Sequence, residues 1–289
     1  MDFTLKEWVN MAGKDSIAAV AVQMQAHETG MTADEVRAIM RSHLQCMQEA
    51  VKEGLDPALK SVSGLTGGQA ALFMERLKQG KSLCGNLLGK AEVYALATAE
   101  CNACMGKIVA APTAGACGIL PGAILAMMEE KNISESMAVD ALFVAAAVGQ
   151  TIAMQASISG AEGGCQAECG AAAAMAAAAL TFLEGGSAKQ CADAAAFAIM
   201  NLLGLVCDPV GGLVEVPCVY RNVGSSGVAF TAADMVLSGI KCPIEPDEVV
   251  SVMKEVGDAM PSSLRETGEG GCASCPSIRA RLCHQDIRG

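Results

Sequence analysis

Three segments in the middle of the sequence join glycine or proline to cysteine and polar side chains, and each interrupts a helical pattern. They run from Pro112 to Cys117, from Ser157 to Glu168 and from Cys207 to Cys218. Breaking buried helices with glycine and polar groups costs stability, so a bound ligand or a catalytic function is the expected reason for such segments. Their thiols are candidates for metal ligation or reaction, and the neighbouring carboxylates for acid–base chemistry.

A CxxC pair at Cys101 and Cys104 offers a second kind of chemistry, because this spacing is typical of zinc sites and of thioredoxin-like redox sites. The flanking residues predict the middle of a helix, where a thiolate lacks the stabilisation that a helix N-terminus provides. A zinc site would need Cys272 and Cys275 as its second pair, and the spacing alone supports it weakly. Four further cysteines are predicted to pack as small buried apolar residues: Cys46, Cys84, Cys191 and Cys242.

The composition predicts a folded chain that binds neither nucleic acid nor a membrane. Of 289 residues, 52% are hydrophobic and 18% are charged, which excludes a disordered or collagen-like protein. The formal net charge is −11, with 5 basic and 14 acidic side chains in residues 101–250, so no phosphate-neutralising surface is expected. Residues 108–128 and 141–161 are uncharged and long enough to span a bilayer, but they lack basic flanks and an aromatic belt. We therefore predict buried helices there.

The cysteine content and the N-terminus together predict a compartment. The sequence has 14 cysteines, and its first residues contain no basic segment followed by an apolar run. Such a run would mark a secretory signal. We therefore expect a cytoplasmic protein in a reducing environment, where disulfides are rare.

The elements that must position these segments are predicted to be helices of one domain that covers residues 1–289. Residues 136–158, 169–183 and 188–203 are rich in Ala with Leu, Ile and Met, which is typical of closely packed buried helices. Strand patterns are limited to residues 213–216, and the tail over residues 261–289 is polar and Gly-rich, as in a docked or mobile segment. The sequence therefore predicts an all-α compact bundle with an irregular tail. Helix starts are predicted at Thr4 with Glu7, at Thr32 with Glu35, and at Pro246 with Asp247 and Glu248.

Four motifs give the sequence a specific resemblance. They are SGLTGG at 63–68, APTAGACGILPG at 111–122, QASISGAEGGCQAE at 155–168 and CDPVGGLVEVPCVYRN at 207–222. On the basis of these motifs, the sequence resembles the alpha chain of bacterial iron-sulfur-dependent L-serine dehydratase over essentially its whole length.

The resemblance implies a [4Fe-4S] cluster in the Gly-rich loops, held by Cys165, Cys207 and Cys218. These cysteines are not spaced like the compact cysteine runs of ferredoxins. Three protein thiolates leave one iron open, which is what a Lewis-acid catalyst needs. The implied reaction converts L-serine to pyruvate and ammonia without pyridoxal phosphate. Lys107 is the one nearby lysine that could form a Schiff base with that cofactor, and the sequence around it contains no recognisable phosphate-binding loop.

Other site roles remain open between function and local structure. Ser63, Thr66 and Thr113 are candidates for binding the substrate, or else they cap helices and turns. The loop at 63–68 is either a cradle for the substrate carboxylate or a plain connection, which is the commoner role. The sequence does not identify the general base. Three acidic side chains near the thiols are expected to support the cluster by hydrogen bonding: Glu162, Glu168 and Asp208. The three histidines are expected to lie outside the site: His27, His43 and His284.

Two departures from the family pattern bear on partners. Single-chain relatives carry a Ser-His-Thr-Val-Gly-Pro type motif that is missing from this sequence, which predicts a separate beta chain. Some relatives place a C-terminal cysteine on the open iron, whereas this sequence ends in Gly289; Cys272 is the candidate for a fourth ligand, with Cys275 and Cys283 as alternatives. L-threonine or L-cysteine elimination, and a non-catalytic iron-sulfur or zinc-binding helical protein, are the alternative functions.

Overall fold

Helices form the secondary structure of residues 3–13 and 15–284, which are the residues that the computed structural model describes. The one β contact within that part is an isolated bridge between Cys207 and Arg265. The predicted all-α class is therefore confirmed. The α-helices are α1 (Leu5–Ala12), α2 (Ile17–Thr29), α3 (Ala33–Gly54), α4 (Gln69–Lys78), α5 (Gly85–Ala103), α6 (Ile119–Glu130), α7 (Glu135–Gln155), α8 (Gly160–Gly163), α9 (Ala171–Leu183), α10 (Ala188–Leu202), α11 (Cys218–Leu237), α12 (Pro246–Ala259) and α13 (Pro276–His284).

The predicted helix starts are confirmed by their hydrogen bonds. The Thr4 hydroxyl accepts from the Glu7 amide at 3.0 Å while the Glu7 carboxylate accepts from the Thr4 amide at 2.8 Å. Thr32 and Glu35 form the same reciprocal pair at the start of α3. In α12, Pro246 occupies the first turn together with two acidic residues. These local signals fix where the helices begin.

The core is built from helices that approach one another closely. α9 is buried along most of its length and packs against α6, α7, α10 and α11. Between α5 and α6, a Cβ on Gly122 would lie 2.5 Å from the Ala91 carbonyl oxygen. Alanine and glycine at these contacts let the backbones meet at distances that larger side chains would prevent, as the Ala-rich pattern predicts.

Two of the described helical stretches are long and apolar enough to cross a membrane. Within their most apolar windows, 67% of the residues of Glu135–Gln155 and 94% of those of Gln166–Leu183 are buried inside the protein. Both stretches pack as core helices of the bundle, as expected of residues 141–161. The other predicted stretch, 108–128, divides into a loop and α6.

One expectation about local structure is wrong, and it concerns the CxxC pair. Residues 213–216, which carry the weak strand pattern, form no strand and belong to the loop between two motif cysteines, as an all-α fold requires. The tail after residue 260 is irregular except for two 3-10 turns and α13. Cys101 lies in the last turn of α5 and Cys104 caps its C-terminus, so the CxxC pair is at a helix end rather than in mid-helix.

Candidate functional site

The cysteines of the two longest motifs are brought together in one buried region, although they are distant in sequence. Cys165 precedes a π-helical turn over Gln166–Gly170 that leads into α9. Cys218 is the first residue of α11. Cys207 lies in the loop before it, and all three side chains are buried.

Burial and neighbouring charges shift the pKa values of the three thiols. Burial raises the pKa of Cys207, and the charges of Glu168, Cys165 and Cys218 add to the effect. Burial likewise raises the pKa of Cys218 to about 12, again with Cys165 and Glu168 contributing. The pKa of Cys165 is lowered, first by its hydrogen bond with Cys169, whose Sγ lies 3.4 Å away, and further by Arg221. An electropositive group therefore faces one side of the thiol set.

Glu168 is the carboxylate at the centre of this region. Its Oε2 lies 3.8 Å from the Cys207 Sγ, and its Oε1 accepts a hydrogen bond from the Thr113 hydroxyl at 2.7 Å. A Cβ on Gly160 would lie 2.8 Å from Glu168 Oε2 and 2.9 Å from Cys207 Sγ, and one on Gly115 would lie 2.9 Å from Glu168 Oε1. Burial raises the pKa of Glu168. The glycines of two different motifs thus make room for one buried carboxylate.

Two adjacent residues near the start of α11 tie the motifs together. Arg221 Nη1 donates to the Val206 carbonyl at 2.6 Å and Nη2 lies 2.7 Å from Asp208 Oδ1. Asn222 is fully buried; its Oδ1 accepts from the Gly118 amide at 2.8 Å and its Nδ2 donates to the Gly115 carbonyl at 2.8 Å. Arg221 therefore holds the loop that carries Cys207, and Asn222 holds the loop that carries Thr113.

The Gly-rich loop at 63–68 approaches the same region through Glu215. The Ser63 amide donates to Glu215 Oε1 at 3.0 Å, and the Ser63 hydroxyl donates to Oε2 of the same carboxylate. Glu215 lies between Cys207 and Cys218 in sequence, so the first motif is attached to the last. Thr66 is buried, and its Oγ1 has no hydrogen-bond partner among the described residues.

The backbone amides of this loop, which could have bound a substrate carboxylate, already bind a carboxylate of the protein itself. Glu100 is fully buried and accepts hydrogen bonds from the Gly67, Gln69 and Ala70 amides at 2.9, 3.1 and 2.9 Å. These amides surround the N-terminus of α4, where an anion is favoured. In this arrangement these amides are not free to bind a substrate carboxylate. The hypothesis that the loop is a structural connection therefore fits them better.

The tail contacts the loop that carries Cys207. The Cys207 amide donates to the Leu264 carbonyl at 2.8 Å, and the Glu266 amide donates to the Cys207 carbonyl at 2.7 Å. Further along, the Cys272 amide donates to Asp208 Oδ2 at 2.6 Å. Cys272 is therefore the tail thiol placed beside the motif loop, whereas the Cys283 side chain and Gly289 lie outside the described residues.

The remaining cysteines and histidines lie apart from this site or in the core. Around the CxxC pair, burial and the nearby Glu53 raise the pKa of Cys101 to about 12. Cys46 and Cys191 are buried as predicted and Cys242 is half-buried, but Cys84 is exposed, contrary to the prediction. The described side chains His27 and His43 are exposed and outside the motifs, and the His284 side chain is not among those described.

The donor set of this region consists of three buried thiols and the carboxylate of Glu168. Among the described residues, no three His, Cys, Asp or Glu side chains lie close enough together to hold one ion. This finding gives no support to a zinc site made from the four CxxC cysteines. A four-iron cluster takes one thiolate per iron, so its ligands stand further apart than the ligands of a single ion.

Several residues of the site carry signals that are clear only in three dimensions. Arg221 and Asn222 end the motif at 207–222, and Glu215 lies within it, but nothing in their spacing indicates which loop each one holds. Cys169 follows Cys165 at the i+4 spacing of a helix, which is the one local signal for their contact.

Comparison with known proteins gives a consistent result over most of the sequence. The profile of the family described as serine dehydratase alpha chain matches residues 13–273. A probable L-serine dehydratase alpha chain from Bacillus subtilis strain 168 is 46% identical over 263 residues, covering 91% of this chain and 87% of the relative. The L-serine dehydratase alpha chain of Peptoniphilus asaccharolyticus is 39% identical over 272 residues, covering 93% of each chain. L-serine dehydratase 1 of Escherichia coli K12 is 44% identical over 191 residues, which are 65% of this chain and 42% of that longer protein.

Proposed function

Because the chain belongs to the serine dehydratase alpha-chain family, we propose that it is the catalytic subunit of an iron-sulfur enzyme that converts L-serine to pyruvate and ammonia. The observation that carries this proposal is the burial of Cys165, Cys207 and Cys218 in one region with the carboxylate of Glu168, whose Oε2 lies 3.8 Å from the Cys207 Sγ. A fold alone gains nothing from placing buried thiols and an acidic group together, because each raises the cost of ionising the others.

The three thiolates would hold a [4Fe-4S] cluster. When bound, the cluster supplies an open iron that acts as a Lewis acid and makes the 3-hydroxyl of serine a better leaving group. Loss of that hydroxyl and of the Cα proton leaves an enamine, which tautomerises to an imine and is hydrolysed to pyruvate and ammonia. Water lost in the first stage is taken up in the last, so the overall reaction balances.

The residues of this chain prepare the site in distinct ways. Arg221 places a fixed positive charge beside Cys165 and Asp208, which offsets the negative charge of thiolates in a buried region. Thr113 fixes the orientation of Glu168 by its hydrogen bond. The packed helices around these side chains exclude water, which strengthens the electrostatic interactions between them.

For substrate binding we propose the hydroxyls of Ser63, Thr66 and Thr113, on different grounds. Thr66 Oγ1 is buried and has no hydrogen-bond partner within the described part of the chain, so it can bond to a ligand. Ser63 and Thr113 are engaged with Glu215 and Glu168, so each would bind substrate as part of a pair with its carboxylate. The residue that removes the Cα proton is not assigned.

The alpha-chain names of the relatives support a separate beta chain as partner, and we propose that it completes the site. The described cysteines are all free thiols, which is consistent with the reducing cytoplasm that we propose as the compartment. Cys272 stays a proposed fourth ligand, since its amide is held on Asp208 beside Cys207.

Anaerobic reconstitution tests the proposal. The protein is loaded with iron and sulfide, with and without the beta chain, and the iron content, the electron paramagnetic resonance spectrum and pyruvate formation from L-serine are measured. We expect a four-iron signal that changes when serine is added, and pyruvate formation in the presence of the beta chain. Replacing L-serine by L-threonine or L-cysteine measures substrate preference.

Single variants Cys165→Ala, Cys207→Ala and Cys218→Ala should each lose four-iron loading, and Cys191→Ala is the matched control. Cys191 is as buried as the three thiols but lies in α10, away from the motifs. Unchanged iron uptake in all three variants would exclude these ligands. A loaded cluster without any pyruvate in the presence of the beta chain would favour a non-catalytic iron-sulfur protein.

A further inference from the structure

A polar cavity of about 390 Å³ lies behind the loop that carries Cys165. It is lined by α8, by α12 and by the tail, and its polar side chains are Ser157, Glu162, Lys254, Asp258 and Arg265. The cavity is separate from the thiol region, because Gly160 of α8 faces Glu168 and Cys207, whereas the two residues that follow Gly160 line the cavity.

The charges around this cavity are balanced in number but incompletely paired. Lys254 Nζ and Asp258 Oδ2 form an ion pair at 2.9 Å. Glu162 and Arg265 have no ion-pair partner within 4.0 Å among the described residues. The Glu162 carboxylate accepts one hydrogen bond, from the Ser157 hydroxyl at 2.6 Å, and Arg265 Nη1 reaches the Glu162 carbonyl at 3.4 Å. The partly exposed Arg265 guanidinium and the exposed Glu162 carboxylate thus line one open cavity without forming an ion pair with each other.

We propose that this cavity binds a small α-amino acid in its zwitterionic form. The planar guanidinium of Arg265 matches a carboxylate with two parallel hydrogen bonds, and the Glu162 carboxylate matches an ammonium group. A simple anion would meet two carboxylates here, and a simple cation would meet two basic side chains. An apolar ligand would leave charged groups desolvated without partners. A zwitterion satisfies both unpaired charges at once.

Such a ligand would connect the two segments that carry Cys165 and Cys207. Glu162 lies three residues before Cys165, and the backbone on either side of Arg265 forms the bridge to Cys207. A ligand held between Glu162 and Arg265 therefore favours the conformation in which the tail is docked. Binding itself does not rest on the proposed function; its consequence for an iron-sulfur site does.

Binding of L-alanine to the iron-free protein tests the proposal, because L-alanine has no 3-hydroxyl to lose. We expect saturable binding by isothermal titration calorimetry, and weaker binding of propionate and ethylamine, each of which carries one of the two charges. Arg265→Gln and Glu162→Gln should each lower the affinity for L-alanine by about tenfold or more, since each removes a charge-assisted hydrogen bond. Lys189→Gln, which changes an ion pair in α10, should leave the affinity unchanged.

Amide hydrogen exchange supplies a second measurement on the same protein. Saturating L-alanine should slow exchange at the Cys207 and Glu266 amides, which form the bridge, and Glu162→Gln should abolish that protection. The proposal is overturned by the absence of saturable binding up to about 50 mM L-alanine, by equal affinity for propionate, or by unchanged affinity in both variants. Since iron is absent throughout, these results are independent of whether the cluster assignment holds.

Discussion

The hydroxyl of Thr113 and the carboxylate of Glu168 are joined by a hydrogen bond of 2.7 Å across 55 positions of sequence. This contact connects the loop before α6 to the turn before α9, and Gly115 and Gly160 leave the space in which the carboxylate sits. The two motifs are therefore parts of one structure, and their glycines are needed for packing around a polar group. The following predictions test that structure and the interactions around it.

Thr113→Val should destabilise the iron-free protein by about 1–3 kcal/mol, because it leaves a buried carboxylate without its hydroxyl donor. Thr113→Ser keeps the donor and should recover most of that loss. The free energy of unfolding in urea, measured for both variants, checks the prediction. Equal losses in the two variants would show that the methyl group rather than the hydrogen bond matters.

Glu168→Gln should become more stable relative to the wild type as the pH rises. Burial raises the pKa of Glu168 above 4.5, so at lower pH the native and unfolded states are both protonated and the charge contributes nothing. As the pH rises through the folded-state pKa, ionising the buried carboxyl costs stability that glutamine does not lose. Unfolding of both proteins should be measured between about pH 4 and pH 7; a difference that is independent of pH would contradict the prediction.

Gly160→Ala should cost about 1–3 kcal/mol and impair iron loading, because its Cβ would overlap the Cys207 sulfur and the Glu168 carboxylate. Gly224→Ala is the matched control, since a Cβ at that position in α11 meets nothing within 4 Å. The control should gain about 0.5–1 kcal/mol, as alanine is the better helix former. Thermal unfolding together with iron content separates the two effects.

Asn222→Ala should destabilise the protein by roughly 3 kcal/mol, because a buried amide that bonds Gly115, Gly118 and Cys218 is removed. Asn102→Ala provides the comparison: its amide makes a single bond of 3.3 Å to a carbonyl near the surface. A cost of about 0.5 kcal/mol is expected there. Similar losses for the two variants would mean that Asn222 does not hold the loop.

Thiol alkylation of the native iron-free protein should begin at Cys84 and Cys275, which are exposed, and reach the buried Cys191 much later. Burial raises the pKa of Cys191 to about 12, so only a very small fraction of this thiol is ionised near neutral pH. Mass spectrometry of peptides after timed exposure to iodoacetamide gives the order. Early labelling of Cys191 would show that α10 opens more readily than its burial implies.

The sequence predicts local features of this protein well because their causes are local. The caps at Thr4 and Thr32 and the start of α12 at Pro246 each depend on residues within one helical turn. The short apolar run at 213–216 forms no strand, since it lies in a loop whose Glu215 side chain is held by Ser63. Helix α13 carries no apolar periodicity that would reveal it.

The site could be predicted only in part for the same reason. The identities of the three motif cysteines come from the resemblance, and no periodicity relates them. That Glu100 occupies the amides around Gly67 depends on a partner more than thirty positions away, which no local pattern encodes. The same holds for Arg221 and Asn222, which are neighbours in sequence yet hold different loops.

The attachment of the tail to Cys207 and Asp208 has a consequence for biosynthesis. Cys272 is 64 positions beyond Asp208, and ribosomes make the N-terminal part first. While the nascent chain is being elongated, all three motif cysteines are translated before the tail after residue 260. The loop that carries Cys207 is therefore synthesised before the tail residues that hydrogen-bond to it, and these contacts form only after the C-terminal part has been made.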